Sequence, residues 1–230
     1  MEQKPPIEPP PVAVDGVSLA IFDIDHTLVE GSTGLLFARY LARRGHVARR
    51  KLIRAGWWVL GHRLGFVDAE RMIRDGVAGF TGMSQSFIDH CTDRAFRELI
   101  EPRIVPRVRA LLDRYRERGI ATLLLSGSSD AIAARLATAL GADGHIGIRL
   151  EMDAADVATG RGIPPFPYGA GKLDCLHQYL DPRGIDLARC AAFTDSASDL
   201  PLLEAVGFPH AVNPDRRLRR EATRRGWPVI

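Results

Sequence analysis

The sequence predicts an α/β fold: a parallel sheet wound on both faces, with a helical segment set into it. Three observations predict it. Continuous apolar runs at residues 19–22, 120–125 and 190–194 have the length and composition of short strands buried on both faces. The stretches between the later runs space their apolar residues three and four apart, and strands alternating with helices make a parallel sheet. From about residue 32 to residue 102 the strand-like runs vanish and only helical spacing remains, which suits an insertion after the first strand.

The elements follow in order. Residues 1–17 carry Pro5, Pro6, Pro9, Pro10 and Pro11 and read as an extended, disordered leader. A first strand spans 18–23, and the loop after it is punctuated by Gly31 and Gly34. Leu35, Leu36, Tyr40 and Leu41 share one face of a first helix; 47–60 and 68–77 read as the next two. Ser84 is placed to cap a fourth, whose Phe87, Ile88, Cys91, Ala95, Phe96 and Leu99 recur at helical spacing. Pro102 and Pro106 close this segment. A helix over 108–118 stops at Gly119, a strand spans 120–125, residues 126–130 form a tight polar turn, and a helix over 131–140 stops at Gly141. Residues 145–162 read as strands or a hairpin, and Pro164, Pro165 and Pro167 stiffen the loop that leads to Gly169-Ala170-Gly171-Lys172. A helix over 173–180, a strand over 190–194, a helix begun by Pro201, a strand over 210–212 and a helix over 214–225 complete the alternation, with 227–230 as an edge strand.

Composition sets the outer limits. The chain has 230 residues, 46% hydrophobic and 26% charged, which is ordinary for a globular protein and allows one domain or a core with a smaller insert. No apolar stretch approaches the ~20 residues of a membrane span. Three scattered cysteines, Cys91, Cys175 and Cys190, form no disulfide framework and read as packing residues. The first residues carry acid and proline where a signal peptide needs a basic and then an apolar run, so a cytoplasmic location is expected. Net charge is only +3, and no nucleic-acid partner is expected. Trp57 and Trp58 beside Lys51 read as a packed helix face rather than a membrane surface, and Arg216, Arg217, Arg219, Arg220, Arg224 and Arg225 as a solvated helix. Of 31 basic residues only Lys4, Lys51 and Lys172 are lysines, which singles out Lys172 beside its glycines.

In a parallel sheet all carboxyl ends of strands lie at one edge, so groups distant in sequence converge there. Three predicted strand ends carry polar groups: Asp23 and Asp25; Ser126, Gly127 and Ser128; Asp195, Ser196 and Asp199. Two carboxylates as close as Asp23 and Asp25 repel by roughly 4 kcal/mol at ~4 Å in an effective dielectric near ~20, so they call for a cation, a shared proton or solvation. Acidic oxygens without histidine or cysteine at ligand spacing favour a hard cation that keeps waters, above all Mg²⁺. A hydroxyl followed by glycine at a strand end offers backbone N–H groups to an anion, and a lysine adds a point charge suited to phosphate. Together these parts describe phosphoryl transfer.

Asp23-Ile24-Asp25-His26-Thr27-Leu28 resembles the first motif of the haloacid dehalogenase (HAD) phosphohydrolase superfamily. Ser126-Gly127-Ser128 is similar to its second motif, Gly171-Lys172 to its third, and Asp195-Ser196-Ala197-Ser198-Asp199 to its fourth, all in the right order. The resemblance implies a Rossmann-like core over 18–31 and 103–230, with a helical cap of the C1 type over 32–102. The wording is closest to the phosphoserine-phosphatase-like branch, subfamily IB, although Ser196 and Ser198 stand where that pattern has Gly and Asn. Under this resemblance Asp23 is the nucleophile that forms an aspartyl-phosphate, and Asp25 is the general acid and base. Asp23, the Asp25 carbonyl and Asp195 hold Mg²⁺, supported by Asp199 and Ser196, while Ser126, Gly127, Ser128 and Lys172 hold the phosphate.

The substrate expected is a small phosphomonoester. Phosphoserine-specific relatives carry a glutamate about nine residues after the nucleophile, where this chain has Ser32, with Glu30 the nearest glutamate. That lowers phosphoserine relative to phosphorylated amino alcohols such as histidinol phosphate or to a lipid-derived ester. The same aspartyl-phosphate could be discharged to another acceptor, and a non-catalytic sensor of phosphorylated metabolites would use the same pocket.

Overall fold

The computed structural model describes residues 12, 14–47 and 69–230. The helix expected over 47–60, with Trp57 and Trp58, and most of the proline leader lie outside the described residues. The elements are β1 (Leu19–Phe22), α1 (Thr33–Arg43), α2 (Ala69–Ala78), α3 (Gln85–Ala95), α4 (Pro106–Glu117), β2 (Ala121–Ser129), α5 (Asp130–Leu140), β3 (Gly144–Met152), β4 (Ala158–Ile163), α6 (Gly171–Leu180), β5 (Cys190–Thr194), α7 (Leu200–Ala205), β6 (Phe208–Ala211) and α8 (Arg216–Arg225).

Six strands form one sheet in the order β4-β3-β2-β1-β5-β6. β1 lies inside it, parallel to β2 on one side and to β5 on the other. β3 and β6 extend the parallel arrangement outward, whereas β4 runs antiparallel to β3, so the sheet is mixed at one edge. That edge is a hairpin turned by Asp153, whose Oδ1 accepts the Ala155 and Val157 N–H groups at 2.8 and 3.0 Å.

The strand residues alternate between two apolar layers, as a pleated strand requires. Ala20 and Phe22 join one core with Leu111, Leu112 and Tyr115 of α4 and Ile132 and Leu136 of α5. Leu19 and Ile21 join the other with Cys175, Leu176 and Leu180 of α6. Val14 and Val17, at the end of the leader, are buried in the first of these. All three cysteines are buried thiols.

The helical segment between β1 and β2 leaves and returns through paired linkers. Val29 bridges Ile104, Glu30 N–H donates to Arg103 O at 2.9 Å, and Val105 N–H donates to Leu28 O at 2.8 Å. Ser32 caps α1 by accepting the Leu35 N–H at 3.4 Å. Ser84 caps α3 by accepting the Phe87 N–H, as its sequence position predicts. The insert also touches the edge hairpin through backbone: Gly82 N–H donates to Ala158 O, Ala158 N–H to Met83 O, and Gln85 N–H to Asp156 O, each at 2.9 Å.

Two local expectations change. Of the polar turn expected at 126–130, residues 126–129 belong to β2 and Asp130 opens α5; the pairing of β2 with β3 breaks after Leu125 and resumes at Ser129 opposite Ile148. The Ser126 hydroxyl accepts the Ser128 N–H at 3.2 Å across this irregularity, a local turn inside an extended strand. The edge strand expected over 227–230 reduces to a single bridge between Ala211 and Val229.

Candidate active site

β1 delivers Asp23 to the carboxyl edge of the sheet, where its N–H donates to Phe193 O at 2.9 Å and its side chain is buried. α6 begins at Gly171, so Lys172 lies in its first turn, and only 3% of that lysine is exposed. The Lys172 ammonium donates to Asp23 Oδ1 at 2.7 Å and to Asp199 Oδ2 at 2.6 Å. Thr194, the last residue of β5, donates its hydroxyl to Asp199 Oδ2. Four groups from three separate segments therefore meet at the edge, with two carboxylates sharing one ammonium.

Burial pushes the Asp23 carboxyl up to about 7, with the negative charge of Asp199 acting in the same direction against the pull of Lys172. Burial also works against the Lys172 charge, but the carboxylates of Asp199 and Asp23 outweigh it and raise its pKa, so the ammonium stays protonated. The site thus holds a positive charge beside a buried carboxylate.

Asp25 faces the insert. Its Oδ1 accepts both the backbone N–H and the hydroxyl of Thr33, at 3.0 and 2.6 Å, and the Thr33 hydroxyl lies 2.7 Å from Ser128 Oγ. Between Asp25 and α1, His26 adopts a left-handed φ of +60°, which lets the chain turn sharply and donate the His26 N–H to Gly31 O at 3.2 Å. Ser126 and Ser128 are buried, and Gly127 between them is exposed.

The loop after β5 is held from behind. Asp195 is buried, and its carbonyl accepts the Asp215 N–H at 2.8 Å. Asp215 returns the contact through its Oδ2, which accepts the Ala197 N–H at 2.8 Å, while its Oδ1 caps α8. Ser196 caps the short turn at 197–199, its Oγ accepting the Ser198 hydroxyl at 3.0 Å.

Sequence reasoning placed Asp23, Lys172 and Asp199 at one site, and the geometry brings them into direct contact. Asp25 and Ser128 meet through Thr33, Asp195 and Ser196 lie on the loop that leads to Asp199, and Ser126 lies on β2. Three residues escaped it. Asp215 had a visible signal, an acid at the start of a basic helix. Thr33 had a weaker one, a second hydroxyl beside a cap residue. Tyr168, hydrogen-bonded to Ser198, had none.

Among the described residues no three His, Cys, Asp or Glu side chains form a closed metal cage. That donor chemistry still fits Mg²⁺, which keeps several waters and takes one or two carboxylates with a substrate phosphate rather than an all-protein shell. Asp23 and Asp195, buried at the ends of the adjacent parallel strands β1 and β5, are two such carboxylates.

The chain matches the family model of the haloacid dehalogenase-like hydrolases over residues 20–204. It is 31% identical over 221 residues to the phosphoserine phosphatase SerB1 of Mycobacterium tuberculosis, covering 94% of this chain and 71% of that one. It is 30% identical over 217 residues to a histidinol-phosphatase of Neisseria meningitidis, covering 93% and 98%. Among solved structures, a Bordetella pertussis protein of unknown function superposes with a TM-score of 0.84 at 27% identity, covering 92% of this chain and 97% of that one. With this match running from β1 through α7, the chain belongs to the haloacid dehalogenase-like hydrolases and is a phosphatase of that family.

Proposed function

We propose that the chain is a Mg²⁺-dependent phosphatase that cleaves a small phosphomonoester through an aspartyl-phosphate on Asp23. The observation that carries this reading is the Lys172 ammonium seated between Asp23 and Asp199 at 2.7 and 2.6 Å. A fixed positive charge beside the nucleophile stabilises negative charge that moves there during phosphoryl transfer.

An oxygen of Asp23 attacks phosphorus as the ester P–O bond breaks, and Asp25 gives its proton to the departing oxygen. A water then loses a proton to Asp25 and attacks the aspartyl-phosphate. Inorganic phosphate leaves, and both carboxyl groups return to their starting states. Lys172, the Ser126 and Ser128 hydroxyls and the backbone around Gly127 hold the phosphoryl oxygens. Asp23, the Asp25 main-chain carbonyl and Asp195 would hold Mg²⁺, with Asp199 and Ser196 in support. When bound, Mg²⁺ would supply positive charge to the phosphoryl oxygens. The core comprises 18–31 and 103–230, and the insert over 32–102 acts as a cap that excludes water and meets the leaving group.

The relatives' names point to phosphorylated amino alcohols and hydroxy amino acids as the substrate class. Histidinol phosphate ranks ahead of phosphoserine, because Ser32 occupies the position of the expected glutamate and serves as the cap of α1.

The test is phosphate release from a panel that includes histidinol phosphate, phosphoserine and p-nitrophenyl phosphate, with and without Mg²⁺, beside Asp23→Asn. Metal-dependent release that the variant abolishes is the expected result. Release that survives in Asp23→Asn overturns the covalent route, and a folded wild type inert on the whole panel overturns hydrolysis.

A further inference from the structure

Tyr168 stands where three parts of the molecule meet. With Leu150 and Phe166 it packs against the small apolar cluster of Ile73, Val77 and Ile148, which joins α2 of the insert to β3. A Cβ built on Gly127 would lie 3.5 Å from Cδ2 of the Tyr168 ring and 3.7 Å from Pro167 O, so the ring lies directly along the Ser126–Gly127–Ser128 segment. Its hydroxyl is hydrogen-bonded to the Ser198 side chain.

A polar path leads on from there. The Ser198 hydroxyl reaches Ser196 Oγ at 3.0 Å and Asp199 Oδ1 at 3.5 Å, while Asp199 Oδ2 holds the Lys172 ammonium at 2.6 Å. A serine hydroxyl has one proton to give but can also accept. When the Tyr168 O–H donates to Ser198 Oγ, the Ser198 proton remains available for Asp199 or Ser196. Backbone contacts fix the ring in place. Tyr168 N–H donates to Phe166 O at 2.8 Å, and Gly171 N–H donates to Tyr168 O at 2.9 Å. Gly169 between them takes φ +53°, a left-handed turn that brings the backbone against Ser198 O.

We propose that Tyr168 is a positioning residue for phosphate binding: its hydroxyl sets Ser198 and Asp199, and through them the Lys172 ammonium, while its ring backs the Gly127 segment. This rests on the reading of Ser126, Gly127, Ser128 and Lys172 as the phosphate site. The hydroxyl is fixed rigidly to the ring and the side chain has few rotatable bonds, so one residue sets the distance between the Gly127 segment of β2 and the 195–199 loop. It also connects that distance to α2 of the insert. Ser198, which departs from the phosphoserine phosphatase pattern, thereby acquires a role as the hydroxyl that receives this contact, with Ser196 Oγ 3.0 Å behind it.

The experiment compares the full chain with Tyr168→Phe, which keeps the ring, Ser198→Ala, which removes the contact from the other side, and the double variant. The probe is inorganic phosphate in the presence of Mg²⁺, titrated calorimetrically, with melting temperature recorded beside it. Each single variant is expected to bind phosphate about 5–10-fold more weakly, the worth of one hydrogen bond, with an unchanged melting temperature. The double variant is expected to bind no more weakly than the worse single one, since both remove one contact. On a hydrolysed ester, Tyr168→Phe is expected to raise KM by a similar factor and leave kcat within about twofold. Unchanged phosphate affinity in Tyr168→Phe, losses that multiply in the double variant, or a wild type that binds no phosphate overturns the proposal. Because the titration needs no turnover, absence of hydrolysis would count against the catalytic reading while phosphate affinity still decides the role of Tyr168.

Discussion

The hydroxyl and the backbone N–H of Thr33 both donate to Asp25 Oδ1, at 2.6 and 3.0 Å. Thr33 is fully buried and opens α1, so the acid proposed for the leaving group is tied to the first turn of the helical insert. Two donors on one oxygen fix the direction of the Asp25 carboxyl. The Thr33 hydroxyl also lies 2.7 Å from Ser128 Oγ. The proposed acid and the phosphate-binding strand end are therefore linked through one threonine.

Thr33→Ala removes the side-chain donor and keeps the backbone one. A side-chain hydrogen bond is worth about 0.5–1.5 kcal/mol, so kcat on an alkyl phosphomonoester is expected to fall roughly 3- to 10-fold. With p-nitrophenyl phosphate, whose leaving group needs little protonation, the loss should be several-fold smaller. Steady-state kinetics on the two esters check this, and equal losses on both would detach Thr33 from the acid's role.

Lys172→Met leaves Asp23 and Asp199 as two buried carboxylates without the ammonium that joins them. Removing one partner of a buried ion network costs about 3–5 kcal/mol. Without the ammonium, burial pushes the Asp23 carboxyl further above its ordinary value. The folded variant binds more protons than its unfolded chain, and its stability increases as pH falls from the folded pKa toward the unfolded one near ~4. Denaturant melts from pH 8 to pH 5 should show the variant's deficit shrinking on acidification. A deficit constant with pH would mean that the loss is packing rather than charge. Turnover is expected to drop by at least ~10²-fold at any pH.

Much of this was legible in the chain. The runs 19–22 and 190–194 are apolar because β1 and β5 lie inside the sheet, and Ser84 caps α3 through a hydroxyl that any sequence reading can see. Asp23, Lys172 and Asp199 could be brought together because a parallel sheet gathers its strand ends. What was hidden depends on partners remote in sequence. Ser126-Gly127-Ser128-Ser129 has turn composition, yet pairing of Ser129 with Ile148 keeps it in β2. Thr33 and Tyr168 belong to the site only because α1 folds back over Asp25 and the loop before α6 lies along Gly127. No periodicity encodes either contact.

His210 gives the fold an acid-sensitive point away from the chemistry. It is buried on β6, stacked on Phe193 with ring centroids 4.5 Å apart, and its Nδ1–H donates to Phe208 O at 2.9 Å. Burial drives its pKa down to about 4. A histidine kept neutral in the fold contributes stability that is complete above its unfolded pKa near ~6.5 and is lost as pH falls toward the folded value. The loss by pH 4 is on the order of 3 kcal/mol. His210→Phe keeps the stack and removes the titration. Its unfolding free energy should fall less than the wild type's between pH 7 and pH 4.5, and parallel pH profiles would refute the assignment.

The junction between the insert and the edge hairpin depends on a glycine. Gly160 of β4 has φ +82°, and a Cβ there would stand 2.1 Å from the Thr81 hydroxyl, which itself donates to Ala78 O at 2.8 Å. An alanine would have to adopt a left-handed backbone and displace Thr81 from the end of α2, two costs that act at the same place. Gly160→Ala is expected to destabilise the fold by about 2 kcal/mol. Adding Thr81→Ala should recover the steric part and leave the backbone part, so the double variant should melt between Gly160→Ala and the wild type. A double variant no more stable than Gly160→Ala would show that Thr81 moves aside freely and that backbone strain alone accounts for the loss. The three backbone hydrogen bonds that tie residues 82–85 to Asp156 and Ala158 lie beside this contact. Their amide protons are therefore expected to exchange faster in Gly160→Ala than in the wild type, while those of β1 and β5 keep their protection.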